Sequence, residues 1–136
     1  GTKTAPPPST PSEREGTKSD GWAETRIDGR WHGTLKGNDP NVDATFNFQQ
    51  KGTQVTGTFQ WQSDLTGSCT RHITGRYDED ADEYILHDDD ISNVNINGRA
   101  CKIDEYVLHI KDSSLSGTYE SEGCNDSGTI NLTRSR

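Results

Sequence analysis

The feature that most constrains the fold is the alternation of apolar and polar residues after residue 21. Apolar side chains recur at every second position in eight segments, at about 27–35, 42–50, 53–61, 69–77, 82–91, 103–111, 114–121 and 127–134. A period of two places these side chains on one face of a β-strand. Because no stretch has the pattern of an amphipathic helix of useful length, we predict an all-β domain.

Composition divides the 136 residues into two parts. Residues 1–21 are rich in Pro, Ser, Thr and charged side chains and predict a disordered linker or stalk, with a cloning remnant or a native tail as the alternatives. Residues 22–136 form the predicted domain. A net charge of −8 without a Lys/Arg cluster argues against nucleic acid. The same acidity disfavours anionic membrane surfaces, and no apolar run approaches the length of a membrane span.

A glycine motif distinguishes a barrel from a sandwich. The segments IDGRW, VTGTF, ITGRY and LSGTY each place a glycine between an apolar residue and an aromatic residue, at Gly29, Gly57, Gly75 and Gly117. With period two, all three residues lie on the inner face, and a missing side chain there lets a sheet coil tightly. We therefore predict an eight-stranded antiparallel up-and-down (meander) β-barrel.

Turn positions give a strand register. A two-residue Lys51-Gly52 turn sets the pairing of the second strand with the third, and a loop centred near Thr66 sets the pairing of the third with the fourth. The predicted pairs are Phe48 with Val55, Phe59 with Ile73, Tyr77 with Tyr84, Ile110 with Leu115, and Tyr119 with Ile130.

The register also places Cys101 opposite Cys124, which predicts a disulfide between strands six and seven. A disulfide indicates an oxidising compartment, so we expect an extracytoplasmic protein that is secreted, periplasmic or at the cell surface. Cys69 is left over and could be a free buried thiol, form an intermolecular bridge or take part in a different pairing.

Two segments resemble the avidin and streptavidin family of eight-stranded barrels. GRWHGTLKG (Gly29 to Gly37) is similar to the family's Trp-bearing first strand, and QVTGTFQWQSDLTGSCTRHITGRYDED (Gln54 to Asp80) is similar to its third and fourth strands. The resemblance implies an avidin-like, more broadly calycin-like, barrel. It does not imply biotin binding, because the family's ligand-contacting residues fall at Gly33, Gly37, Phe59 and Trp61, and no Trp follows Trp61.

The inner face carries enough aromatic residues to line a small pocket at a barrel mouth. The candidate ligand-binding residues are Trp31, Phe59, Trp61, Tyr77, Tyr84, Tyr106 and Tyr119, with Phe59, Trp61, Tyr77 and Tyr84 at the entrance. The alternative is that these side chains fill the barrel.

Other chemistry has little support in the pattern. The acidic segments 78–83 and 88–90 match no calcium-loop spacing and predict a solvated rim. The four histidines, His32, His72, His87 and His109, have outward parity, and Cys69 and His72 point to opposite faces, so no metal site is predicted. No catalytic set can be assigned, and no cofactor is expected.

We therefore expect a non-catalytic, extracytoplasmic barrel module that binds a small apolar or aromatic ligand at a barrel mouth. The alternative is a structural or protein-interaction module with a packed core, which contacts partners through the predicted loop at 92–102. The pattern does not determine the oligomeric state.

Overall fold

The computed structural model describes residues 26–96 and 101–135, which form a closed barrel of eight antiparallel strands in chain order. The strands are β1 Gly29–Lys36, β2 Val42–Lys51, β3 Gln54–Ser63, β4 Gly67–Asp78, β5 Glu83–Ile96, β6 Glu105–Lys111, β7 Ser114–Ser121 and β8 Asp126–Arg134. The pairing of β1 with β8 closes the barrel. The predicted eight-stranded meander barrel is confirmed, whereas the predicted linker at 1–21 lies outside the described residues. The described part of the chain contains no helix long and apolar enough to cross a membrane.

The register is confirmed in part. Tyr77 pairs with Tyr84, and Ile110 pairs with Leu115, as predicted. Three other hairpins were wrong by two residues: Phe48 pairs with Gly57, Phe59 with Arg71, and Gly117 with Ile130. In the first of them the turn residues are Gly52 and Thr53, where Gly52 has a φ of 61°. A shift of two residues keeps every side chain on its predicted face, so the apolar pattern does not detect it.

The inward glycines mark places where adjacent strands approach closely. A Cβ at Gly57, Gly75 or Gly117 would collide with a backbone carbonyl of the neighbouring strand, that of Asn47, Ile85 or Val107. The space beside each of these three glycines is therefore occupied by main chain, and it is not a gap in which a ligand could lie. In these three copies the motif is a consequence of strand packing, whereas Gly29, the fourth, is exposed, has a φ of 110° and makes no such close contact.

We expect Gly117→Ala to lower the free energy of unfolding by about 1–3 kcal/mol, because the added methyl group must displace the backbone of β6. Urea denaturation followed by circular dichroism measures the change. Gly123→Ala is the matched control, since its Cβ would lie 3.7 Å from the nearest atoms, those of Cys101. We expect that control to change stability by less than about 0.5 kcal/mol. Equal effects of the two substitutions would contradict the close-packing explanation.

The two ends of the barrel differ. The lower end carries the turns at 52–53, 79–82 and 112–113, and the upper end carries the loops at 37–41, 64–66 and 122–125. Residues 26–28 close the lower end: buried Ile27 accepts a hydrogen bond from Trp31 Nε1 at 2.9 Å. The guanidinium of Arg134 lies 4.2 Å from the centre of the Trp31 ring. The lower end is therefore sealed by packed side chains.

The barrel centre is also filled. The rings of Phe46 and Phe59 stack with their centres 4.2 Å apart, and Tyr106 meets both rings edge-on. All three residues are 0% exposed. Any space for a ligand inside the barrel must therefore lie above this aromatic layer.

The prediction that a loop begins at residue 92 was wrong. Strand β5 continues to Ile96, and its residues Ser92 and Asn95 pair with Thr70 and Ser68 of β4. Two register irregularities interrupt this ladder and lengthen β5 relative to its partner. Residues 97–100 lie outside the described residues.

Candidate functional site

A cavity of about 160 Å³ lies at the upper end of the barrel and is called the upper cavity below. Its apolar lining consists of Leu35, Val42, Phe59, Trp61, Ile103 and Tyr119. Its polar lining consists of Asn38, Asp39, Thr66, Arg71, Ser121 and Asp126, and three cysteines, Cys69, Cys101 and Cys124, complete the wall. An apolar cavity of similar size, about 150 Å³, holds one benzene molecule. The upper cavity therefore has room for a compound built on about one ring.

Asp39 fixes one side of the cavity mouth. Its Oδ2 accepts hydrogen bonds from Ser63 Oγ at 2.5 Å and Thr66 Oγ1 at 2.6 Å, and its Oδ1 accepts one from the Asn41 amide at 3.1 Å. Burial alone would raise the pKa of Asp39, but these hydrogen bonds hold it below its usual value. The carboxylate is thus ionised at neutral pH and ties the loop at 37–41 to the end of β3.

Asp126 organises the opposite side. It accepts hydrogen bonds from the Tyr119 hydroxyl at 3.1 Å and from the Asn38 amide at 2.9 Å. Burial and the neighbouring Asp126 carboxylate raise the pKa of Tyr119, so its hydroxyl stays protonated and donates. These contacts join the first loop to β7 and β8 across the mouth.

A buried ion pair lies at the floor of the cavity, and Arg71 is its member in the cavity lining. Arg71 Nη1 donates to Asp88 Oδ2 at 2.6 Å and to the Cys101 carbonyl at 2.7 Å. Asp88 also accepts hydrogen bonds from the Tyr106 hydroxyl at 2.6 Å and from the Ile103 amide at 2.7 Å. The Arg71 side chain is 10% exposed and that of Asp88 is 0% exposed. The carboxylate is well satisfied and holds the guanidinium in one orientation.

The charge states of this floor follow from its contacts. Burial alone would lower the pKa of Arg71, but its neighbours Tyr106 and Asp88 raise it, so the guanidinium stays charged. Burial, reinforced by Asp88, raises the pKa of Tyr106 well above its usual value, and its hydroxyl therefore remains a donor. Arg71 Nε is buried and has no hydrogen-bond partner among the described residues. The guanidinium also lies beside the buried Cys69 thiol, with which it interacts.

Two of the three cysteines form the predicted disulfide, and the third is free. Cys101 and Cys124 form a disulfide, which confirms that prediction. The bond joins the segment before β6 to the loop at 122–125 and so forms part of the cavity wall. Cys69 is a free buried thiol, and burial raises its pKa, although nearby Arg71 opposes the shift. At neutral pH this thiol is protonated and a weak nucleophile.

The structure does not bring the seven predicted aromatic residues to one mouth. Phe59, Trp61 and Tyr119 line the upper cavity. Tyr77 and Tyr84 are at the lower end, with ring centres 4.8 Å apart. Tyr84 donates to Gln50 at 2.9 Å and Tyr77 donates to Asp82 at 2.6 Å, and this second bond raises the pKa of Tyr77 to about 12. Trp31 packs against residues 26–28 at the lower end, and Tyr106 lies in the central aromatic layer. The predicted entrance therefore combined residues from opposite ends.

Arg71 and Asp88, like Asp39 and Asp126 at the mouth, are site residues that the sequence pattern did not single out. Asp88 was expected in a solvated acidic rim, and this was wrong, because the residue is 5% exposed. Its neighbours Asp89 and Asp90 are exposed as expected. The signal was strand parity: Arg71 shares its face with Cys69 and Ile73, and Asp88 shares its face with Tyr84 and Leu86. One charged residue of each sign on the inner faces of neighbouring strands, in diagonal positions, predicts a buried pair.

The remaining titratable groups do not gather into a further site. All four histidines, His32, His72, His87 and His109, are exposed, as their parity predicts. Within residues 26–96 and 101–135, no group of three or more His, Cys, Asp or Glu side chains is placed to hold a metal ion.

Comparison with known proteins gives no match to any protein-family model and none to any curated protein. The fold is a closed eight-stranded meander barrel, consistent with a calycin-like fold. One end of the barrel is sealed, and a mixed polar and apolar cavity lies at the other.

Proposed function

We propose that this protein is a non-catalytic β-barrel module that binds one small molecule with an apolar or aromatic body in the upper cavity. The observation that carries the proposal is the cavity itself, about 160 Å³ and lined by Phe59, Trp61, Tyr119 and aliphatic side chains with a few fixed polar groups. Binding sites for small molecules have this mixture of an apolar wall and a small number of oriented hydrogen-bonding groups.

The rim of the cavity is held in place before any ligand arrives. The Asp39 and Asp126 hydrogen bonds and the Cys101–Cys124 disulfide connect the upper loops with one another. A rigid rim reduces the conformational entropy that binding must overcome, so even a small ligand can bind with useful affinity.

Three finer points are part of the same proposal. The segments around the first, third and fourth strands support a relationship with avidin-like barrels, although the biotin-contacting positions differ. The disulfide supports an extracytoplasmic location, since such bonds persist in oxidising compartments. Phe59, Trp61 and Tyr119 are the ligand-contacting members of the predicted aromatic set.

The test is calorimetric titration with a panel of one-ring compounds that includes toluene, phenol and indole. We expect at least one to bind in the micromolar to low millimolar range, and we expect Trp61→Ala to weaken that binding about tenfold or more through lost contact area. Leu65→Ala is the matched control, since Leu65 is a large apolar residue at the same end but 64% exposed. If no panel member binds, or if the Trp61 variant binds as tightly as the wild type, the proposal fails.

A second candidate function is protein interaction through the segment at 92–102. The supporting observation is the large apolar side chain Val94, which is 48% exposed on β5. The titration separates the two candidates, because an interaction module with no use for the cavity would bind none of the compounds. Residues 97–100 of this segment lie outside the described residues.

A further inference from the structure

The lining of the upper cavity carries more negative than positive charge. Its charged side chains are Asp39, Asp126 and Arg71. The charge of Arg71 is already paired, because its Nη1 lies 2.6 Å from the carboxylate of Asp88, whose side chain is 0% exposed. Burial would raise the pKa of Asp39, but the hydrogen bonds that it accepts outweigh burial, so this carboxylate is ionised at neutral pH. A ligand in the cavity therefore meets an excess of negative charge.

The loops around the cavity mouth add to this charge. The three loops of the upper end contain the acidic residues Asp39, Asp64 and Glu122 but no Lys or Arg. Exposed Lys36 and Lys102 flank these loops and offset only part of the negative charge. A cleft lined by charges of one sign raises the local concentration of ions of the opposite sign. The mouth therefore attracts cations and repels anions.

Trp61 is a second, independent feature that favours a cation. Its side chain lines the cavity and is only partly buried, so a ligand can reach it. An indole ring attracts a cation over its face more strongly than the rings of Tyr or Phe do. In a cavity of about 160 Å³, a charge lies within the ~8 Å over which salt screens charges at physiological ionic strength. The charge of a ligand therefore acts on Trp61 and on the lining carboxylates even without direct contact.

Building on the proposed function, we propose that the ligand of the upper cavity is a small organic cation, a one-ring molecule that carries a protonated amine. The ring packs against the apolar lining, and the ammonium group lies at the mouth beside Asp39, Asp126 and the Trp61 ring. Asp126 is partly buried and Asn38 is exposed, so water still reaches this part of the cavity. The ammonium group keeps part of its hydration there, and the large cost of removing a charge from water is reduced.

The experiment compares four probes by calorimetric titration of the wild-type protein at neutral pH: benzylamine, benzyl alcohol, benzoate and n-butylamine. Benzylamine is protonated under these conditions, and benzyl alcohol has nearly the same size without the charge. We expect benzylamine to bind about tenfold more tightly than benzyl alcohol and about thirtyfold more tightly than benzoate. The probe n-butylamine has the charge but no ring, and we expect it to bind about tenfold more weakly than benzylamine because it buries less apolar area.

Salt gives a second readout on the same protein. Raising the NaCl concentration from about 20 mM to about 300 mM should weaken benzylamine binding about threefold, because salt screens the attraction between the ammonium group and the carboxylates. Binding of benzyl alcohol should change by less than about 1.5-fold, since this probe has no charge to screen.

Asp39→Asn and Asp126→Asn each remove one negative charge from the lining and keep the size of the side chain. We expect each variant to bind benzylamine about three- to tenfold more weakly and to change benzyl alcohol binding by less than about twofold. Asp80→Asn is the matched control, because Asp80 is exposed at the lower end and its loss changes the net charge equally. If the Asn variants do not fold, the four probes and the salt dependence of the wild-type protein decide the question.

The outcomes separate this inference from the proposed function. Equal binding of benzylamine and benzyl alcohol, or tighter binding of benzoate, would overturn the cationic ligand class and leave the proposed function standing. Equal binding of n-butylamine and benzylamine would overturn the one-ring class. If Asp80→Asn weakened benzylamine binding as much as Asp39→Asn, the cavity carboxylates would not be the cause. Failure of all four probes, together with the panel of neutral one-ring compounds, would overturn the proposed function itself.

Discussion

Replacing Asp88 by alanine is expected to lower the free energy of unfolding by about 3–5 kcal/mol. The Asp88 side chain is fully buried and accepts hydrogen bonds from Arg71, Tyr106 and the Ile103 amide. Its removal leaves the Arg71 guanidinium charged in the barrel interior with no carboxylate beside it. Urea denaturation monitored by tryptophan fluorescence measures the loss.

The control for this variant is Asp89→Ala. Asp89 is the next residue on β5, but its side chain is 52% exposed and lies 3.4 Å from exposed His87. Exposed pairs contribute little, so we expect a change below about 0.5 kcal/mol. If the Asp88 and Asp89 variants differ by less than about 1 kcal/mol, the buried pair is not the stabilising element described here.

Removing the disulfide is expected to lower the free energy of unfolding by about 3 kcal/mol. Cys101 and Cys124 are separated by 23 residues, and a cross-link of that span restricts the unfolded chain by about this amount in the loop-entropy model. The double variant Cys101→Ser/Cys124→Ser and the wild-type protein treated with dithiothreitol should therefore unfold at similar urea concentrations, both well below that of the oxidised wild type.

Dithiothreitol added to the double variant is the control. Cys69 is already a free thiol, so the reductant has no disulfide left to act on and should not shift the unfolding curve. A further loss of stability in that sample would mean that Cys69 forms a bridge between two molecules, because it is the one cysteine left in this variant. A double variant as stable as the oxidised wild type would contradict the predicted contribution of the bond.

The strands were predictable from the sequence because each buries one face. The face on which a side chain lies is still predicted correctly when the turn is misplaced by an even number of residues. The second strand illustrates this: Phe48 is buried as its parity predicts, although its partner in β3 was misplaced by two residues. Two hairpins agreed in register, those closed by the turns at 79–82 and 112–113. Apolar periodicity alone does not distinguish registers that differ by two residues.

The candidate site was predictable only in part. Phe59, Trp61 and Tyr119 were expected to contact a ligand, but the pattern does not reveal at which end of the barrel a side chain lies unless the strand direction is followed. The burial of Asp88 was not predicted because this residue begins a run of three acidic residues, and such a run is typical of a solvent-exposed segment. The existence of the cavity depends on the summed volume of the side chains in one layer of the barrel. A local sequence pattern does not contain this information.

Residues 26–28 close the lower end of the barrel, so the two ends differ and the cavity opens at the upper end only. Arg26 and Ser135, the first and last described residues, both lie at that end, where Arg26 contacts Gln50 and the Ser135 amide donates to Arg30. A surface coupling or a fused domain joined directly after Ser135 would thus be attached on the side remote from the cavity. Immobilised through such an attachment, the protein would present its cavity outward, as a sensor surface requires.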